Sequence, residues 1–166
     1  MLLRAAFLLG LISPDAFAGL GATLDPLARL YRDFAWEAVS DTPTGEPGFL
    51  SLSDAVWSRY FSPRLVRLLR NDRQCVARMR AFCKLDFSPI WASQNPGAAR
   101  LKVVLGDSPA SVDVFFDYRG NGQRIGTKFL LVRSGPRWLI DEIHYADRQE
   151  LRKILEERER AMQWAV

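Results

Sequence analysis

The sequence predicts an α+β domain, with N-terminal helices packed on one face of a curved antiparallel sheet of about four strands and a C-terminal helix closing the chain. Three observations predict it. Apolar residues recur at three- and four-residue steps as far as Met79; after Pro96 and Gly97 the chain turns to short β-branched and aromatic runs separated by turn residues; and a charged amphipathic stretch follows the last run. At 166 residues and 48% hydrophobic, the chain can bury a single core, so one domain over residues 19–166 is expected.

The first element is not part of that domain. MLLRAAFLLGLISPDAFAGLG places Arg4 ahead of an apolar run from Ala5 to Ile12, a breaker at Pro14, and then Ala16-Phe17-Ala18. This is the three-part pattern of a cleavable secretory signal, with cleavage expected after Ala18. An apolar run of about eight residues is far short of the roughly 20 that span a bilayer, and no cysteine follows it to carry a lipid. The mature protein is expected to be soluble and exported, to the periplasm or beyond.

In DPLARLYRDFAWEAVS, Asp25 is placed at an N-cap and Pro26 at the first helical position, with Leu27, Leu30, Tyr31, Phe34 and Ala38 on one face. DTPTGEPGF is turn chemistry and predicts a surface loop. A short helix starting near Ser53 carries Ala55, Val56, Trp57 and Tyr60 to the next cap at Ser62-Pro63. In the helix that follows, Leu65, Leu68, Leu69, Val76 and Met79 share a face while Arg67, Arg70, Arg73 and Arg78 cover the other. Asp72 lands within the apolar face. Either it is a buried, paired carboxylate or the helix breaks near Asn71, and Asn-Asp, a poor interior pair, favours the break.

Cys75 and Cys83 are the only cysteines. An oxidising compartment lets a disulfide persist, and closing a loop of about nine residues is worth roughly 2.5 kcal/mol in the chain-entropy model. The spacing is not C-x-x-C and His144, the only histidine, is remote in sequence, so a structural bridge is expected rather than a metal or redox site.

LKVVLG, SVDVFFDYRG, GTKFLLVRSG and RWLIDEIHY are the strands. In the second, Val112, Val114, Phe116 and Tyr118 alternate with Asp113, Phe115 and Asp117, giving one apolar face and leaving the aspartates towards solvent. Ser134-Gly135-Pro136 predicts a hairpin. GNGQRIG, Gly120 to Gly126, has the glycines of a phosphate loop but joins two β-like runs, which makes it a hairpin turn. The last helix, DRQELRKILEERERAMQW, presents Leu151, Ile154, Leu155 and Met162 as a stripe, with Asp147 and Glu150 suited to its start.

Helices followed by strands ending in GPRWLIDEI resemble the cone-shaped nuclear-transport-factor-2-like superfamily. More closely, YFSPRLVRLL, LDFSPIWASQNP and RWLIDEIHYADRQELRKIL resemble the bacterial domain family of unknown function DUF3828. The resemblance spans residues 27–155 and implies a fold and an exported location, without a catalytic residue. Relatives often carry a second aspartate where this chain has Ser88.

The net charge of +4 stays unchanged once Arg4 and Asp15 leave with the signal. The excess is local: Arg59, Arg64, Arg67, Arg70, Arg73, Arg78, Arg80 and Lys84 face only Asp72 in the same segment. In an exported protein this points to an acidic protein partner, an anionic envelope surface or no more than a solvated helix face, and not to nucleic acid. Arg67 and Arg70 are the candidate docking pair, with charge reversal there expected to weaken a complex and leave the melting temperature nearly unchanged.

A cone can enclose a pocket, and acid-base candidates for it are Asp72, Asp86, Asp113, Asp117, His144 and Tyr145. The stretch Asp86-Phe87-Ser88-Pro89 with Trp91 and Gln94 reads either as a loop plugging the core, with Asp86 capping backbone amides, or as a rim that grips a ligand. No Ser-His-Asp spacing or metal-ligand cluster stands out, and no cofactor is expected. The function expected is a non-enzymatic exported binding module for a protein or small ligand. The alternatives are an immunity protein neutralising an interbacterial toxin, or a small enzyme using a pocket carboxylate or His144.

Overall fold

In the computed structural model, which describes residues 14–39 and 48–162, with side chains described for 21, 23–39 and 48–156, the chain begins with helix α1 over Pro14–Phe34. The leader from Met1 to Ser13, the DTPTGEP part of the expected loop and the Met162 side chain lie outside the described residues. Helix α1 runs through Pro26 rather than starting there, so Asp25 is not an N-cap; it pairs instead with Arg29 one turn on, at 3.0 Å. An internal proline costs a helix one hydrogen bond and about 3 kcal/mol. Tertiary contacts on both sides of Pro26 offset that: Thr23 is buried and its hydroxyl reaches the Pro109 carbonyl at 3.5 Å, while Leu27, Leu30, Tyr31 and Phe34 are buried.

After α2 (Trp36–Val39), a 3-10 turn (Phe49–Ser51) and α3 (Asp54–Trp57), helix α4 spans Pro63–Met79. Its expected cap holds, the Ser62 hydroxyl accepting from Leu65 N at 3.2 Å. The expected break at Asn71 does not occur. The helix continues, and Asp72 is the buried carboxylate of the other reading, accepting from Lys84 N at 2.7 Å. The returning Cys83 segment satisfies Asp72, a partner that lies beyond the helix and therefore outside any local propensity. Cys75 and Cys83 form the disulfide, their Cα atoms 6.0 Å apart. Met79 departs from the expected apolar face: at the helix end, where Arg80 adopts φ +52°, it is 60% exposed.

The strands β1 (Ala98–Leu105), β2 (Ser111–Tyr118), β3 (Arg124–Ser134) and β4 (Arg137–His144) form an antiparallel meander in sequence order, followed by α5 (Leu151–Met162). Gly135, at φ +59°, opens the two-residue β3–β4 turn, and Gly122, at φ +72°, sits in the β2–β3 turn, so GNGQRIG is a hairpin connection. Val112, Val114 and Phe116 are buried beneath α1 as expected.

A bulge in β4 sets much of the remaining geometry. Leu130 pairs with Glu142 and Leu131 with Ile140, leaving Asp141 as the extra residue. The extra residue shifts the alternation, so Ile140 and Ile143, three apart, both face the core. The free edge of β4 is covered by the segment before α4, with Ile140 N donating to the Tyr60 carbonyl and Ser62 N to the Ile140 carbonyl, each at 2.8 Å. Asp141 meets the same segment, accepting from the Ser62 hydroxyl at 2.5 Å.

The start of α5 differs from expectation. Asp147 accepts from Gln149 N at 3.1 Å inside a turn, and the cap on the helix comes from β4, where Glu142 Oε1 accepts from Arg152 N at 2.9 Å.

Candidate functional site

The LDFSP loop is rigid for reasons its composition supplies. Leu85, Ile90 and Trp91 are buried, Tyr31 donates its hydroxyl to the Ile90 carbonyl at 2.7 Å, and Tyr145 donates to the Pro89 carbonyl at 3.1 Å. Ser88 N donates to the Ser93 carbonyl at 2.9 Å, closing a small loop in which Ala92 takes φ +49°. Trp91 therefore belongs to the core rather than to a rim, packed edge-on against Tyr31 at 4.9 Å and Phe116 at 5.5 Å. Burial pushes the Tyr31 and Tyr145 phenols well up, so both remain hydrogen-bond donors at neutral pH.

Asp86 and Gln94 are brought into contact. Gln94 Nε2 donates to Asp86 Oδ2 at 3.0 Å, so Asp86 orients a side chain instead of capping backbone amides. Together with Phe87, Ile125, Tyr145 and Gln149 they line an open cleft of about 470 Å³ between the loop and the turn after β4. Its floor is apolar, with Phe87 edge-on to Tyr145 at 5.6 Å, and its rim carries Asp86 and Asp147.

The docking pair separates. Arg70 and Arg73 both bind Asp54, Arg73 at 2.7 Å, and Arg73 also stacks on Trp57 with 4.6 Å to the ring centroid. Burial pushes the Asp54 carboxyl up, but the hydrogen bonds and charges of the two arginines outweigh it and hold it below the usual range. Arg67 is exposed. The arginine face is thus partly an internal brace joining α3 to α4. Beside the disulfide loop, Phe82 and Met79 are exposed next to Arg78 and Arg80.

Of the remaining acid-base candidates, Asp117 lies on the outer sheet face as expected but is only 8% exposed, covered by an ion pair with Arg100 from the β1 bulge. Asp113, Lys128 and His144 align across β2, β3 and β4 and line a shallow depression of about 400 Å³. Lys128 is tied to Asp107 at 2.9 Å, and that hydrogen bond raises the lysine and lowers the aspartate.

Three carboxylates outside the expected site residues stand out by their surroundings. Glu37 accepts from Phe49 N at 2.5 Å and from the Ser88 hydroxyl at 3.2 Å, and burial raises its pKa against those hydrogen bonds. Its spacing of three from Phe34 puts it beside the apolar face, a signal that was readable in the sequence. Glu142 and Glu150 flank His144; the ligand atoms of the three lie within 4.8 Å of one another, making them the group among the described residues that could hold a metal ion. The spacing of two between Glu142 and His144 puts them on one face of β4 and was readable in the sequence; the bridge that brings Glu150 to His144 was not.

No helix among the described residues is long and apolar enough to cross a membrane. No family model matches the sequence, and no curated protein matches it. A crystal structure of a protein of unknown function from Bacteroides thetaiotaomicron is similar, with a TM-score of 0.52 at 16% identity, covering 78% of this chain and 93% of that one. That likeness concerns the fold alone.

Proposed function

We propose that the protein is an exported, non-enzymatic binding module of the DUF3828 type that recognises a small ligand or peptide segment in the cleft between the LDFSP loop and the turn after β4. The observation that carries this reading is the cleft itself: an apolar floor of Phe87, Ile125 and Tyr145 under a rim of Asp86, Gln94, Asp147 and Gln149. Apolar walls with a few convergent polar groups are the usual make-up of a ligand site. The two rim carboxylates suit an amine or guanidinium group on the ligand.

Binding is favoured over proton transfer because the cleft's polar groups already have protein partners. Asp86 is held by Gln94, Asp147 by Gln149 N, and Tyr145 by the Pro89 carbonyl. The core beside the cleft is filled by Trp91, Tyr31 and Phe129, so a ligand is taken at the rim and not in the centre of the fold. Motif resemblance and the leader pattern support the family and the exported location. The exposed Phe82 and Met79 beside Arg78 and Arg80 support a second reading, an acidic protein partner such as a toxin.

A fragment screen that includes alkylamines and arginine-containing dipeptides, read by amide chemical shifts of the oxidised mature protein, tests the cleft. Shifts should cluster on Asp86, Gln94, Ile125, Tyr145 and Gln149 and weaken about tenfold or more in the Asp86→Ala, Asp147→Ala double variant. Hits that map elsewhere, or that ignore the double variant, would remove the cleft as the binding site.

A further inference from the structure

We propose that Glu142, His144 and Glu150 form a binding site for a divalent transition metal ion of the zinc type at the junction of β4 and α5. Glu142 and His144 are two residues apart on one face of β4, and a β-bridge pairs His144 with Glu150 just before α5. All three ligands therefore project from backbone held by strand or bridge hydrogen bonds, and their ligand atoms already lie within 4.8 Å of one another.

Glu142 is built as a ligating carboxylate would be. It is 1% exposed, and its Oε1 accepts from Ile143 N and Arg152 N, each at 2.9 Å, while Oε2 accepts from Arg152 Nε at 2.6 Å. A carboxylate offers about four acceptor positions. The three bonds leave one on Oε2, so Arg152 orients the group without closing it, which is the role outer hydrogen bonds play at metal sites.

The charge balance also favours a cation. Arg152 pairs with both Asp141, whose Oδ2 is 2.9 Å from Nη1, and Glu142, while the Glu150 carboxylate lies within 4.8 Å of the Glu142 ligand atom. One guanidinium thus serves two carboxylates, in a chain whose net charge is +4. The imidazole decides the class of ion: one nitrogen and two carboxylate oxygens suit zinc, whereas calcium and magnesium prefer oxygen alone. His144 also lines the open depression that Asp113, Gly126 and Lys128 share.

The test is zinc titration by calorimetry of tag-free, chelator-stripped mature protein. One ion per chain is expected, with affinity falling about tenfold or more in His144→Ala and again in Glu150→Gln, while Asp113→Asn binds as wild type does. Melting temperatures in EDTA should match among these variants, and zinc should raise the midpoint of wild type but not of His144→Ala. Wild-type protein that binds no zinc, His144→Ala that keeps full affinity, or displacement of zinc by equimolar calcium would overturn the site. None of these readouts depends on occupancy of the cleft.

Discussion

Glu37 is a carboxylate whose charge this fold disfavours. It ties α2 to both Phe49 and Ser88, yet burial raises its pKa above the ordinary 4.5. The sign follows from linkage: a carboxyl raised on folding favours the folded state below its unfolded value, and that contribution is lost as pH rises through the folded value. Asp33 and Asp54 act in the opposite sense. Tyr60 donates to Asp33 at 2.5 Å and lowers it, the arginine brace lowers Asp54, and both contributions persist above about pH 3.8 and disappear as pH falls through the depressed folded values. The two windows do not overlap. Glu37→Gln should remove the decline in melting temperature just above pH 4.5 and raise the midpoint at pH 7, leaving acid unfolding below pH 3.8 as in wild type. A fluorimetric melting series across pH 3–8 checks it; an unchanged profile above pH 4.5 would mean that Glu37 is not desolvated.

Helix α4 presents one arginine row, but its members do different work: Arg70 and Arg73 brace Asp54, Arg64 pairs with Glu156 of α5 at 2.9 Å, and Arg67 is exposed. The expectation that reversing Arg67 and Arg70 together spares stability therefore splits. Arg67→Glu should leave the melting temperature within about 1 °C, because exposed substitutions away from specific partners are near neutral. Arg70→Glu sets two carboxylates together and should cost on the order of 1 kcal/mol, lowering the midpoint by about 2–4 °C. Scanning calorimetry of the single variants distinguishes them; equal midpoints would show that the Asp54 brace contributes nothing. At the other end of α4 the Cys75–Cys83 disulfide holds the returning chain where Lys84 N meets Asp72, so bridge and buried carboxylate form one unit.

For the whole molecule, the described side-chain contacts of α1 to the rest of the domain begin at Thr23, downstream of the expected cut after Ala18. Removing residues 1–18 thus leaves those contacts in place. Expressed from Met1 in a Gram-negative host, the protein should appear in the periplasmic fraction with an intact mass that starts at Gly19 and is two hydrogens lighter than the reduced chain. A cytoplasmic product retaining Met1 would defeat the exported reading.

The fold class, the four strands with their turns, the Ser62 cap and the cysteine bridge were legible in the sequence, because each rests on local periodicity, turn chemistry or a count that permits one pairing. That Asp86 and Gln94 lie in one short loop was legible for a related reason, since its proline and aromatics set it apart, while their hydrogen bond to each other was not. What only the tertiary structure decided is how polar groups distant in sequence are satisfied. Asp72 stays in an unbroken helix because Lys84 N reaches it, Pro26 stays inside α1 because its flanks are buried, and Arg70 is engaged because α3 brings Asp54 to it. The bulge at Asp141 shifts the period of β4 so that Ile140 and Ile143 both face the core, and a bridge to His144 brings Glu150 to the face that Glu142 and His144 share. A strand pattern carries the side-chain alternation; where that alternation slips depends on the segment that pairs with the edge, and only folding brings that segment into contact.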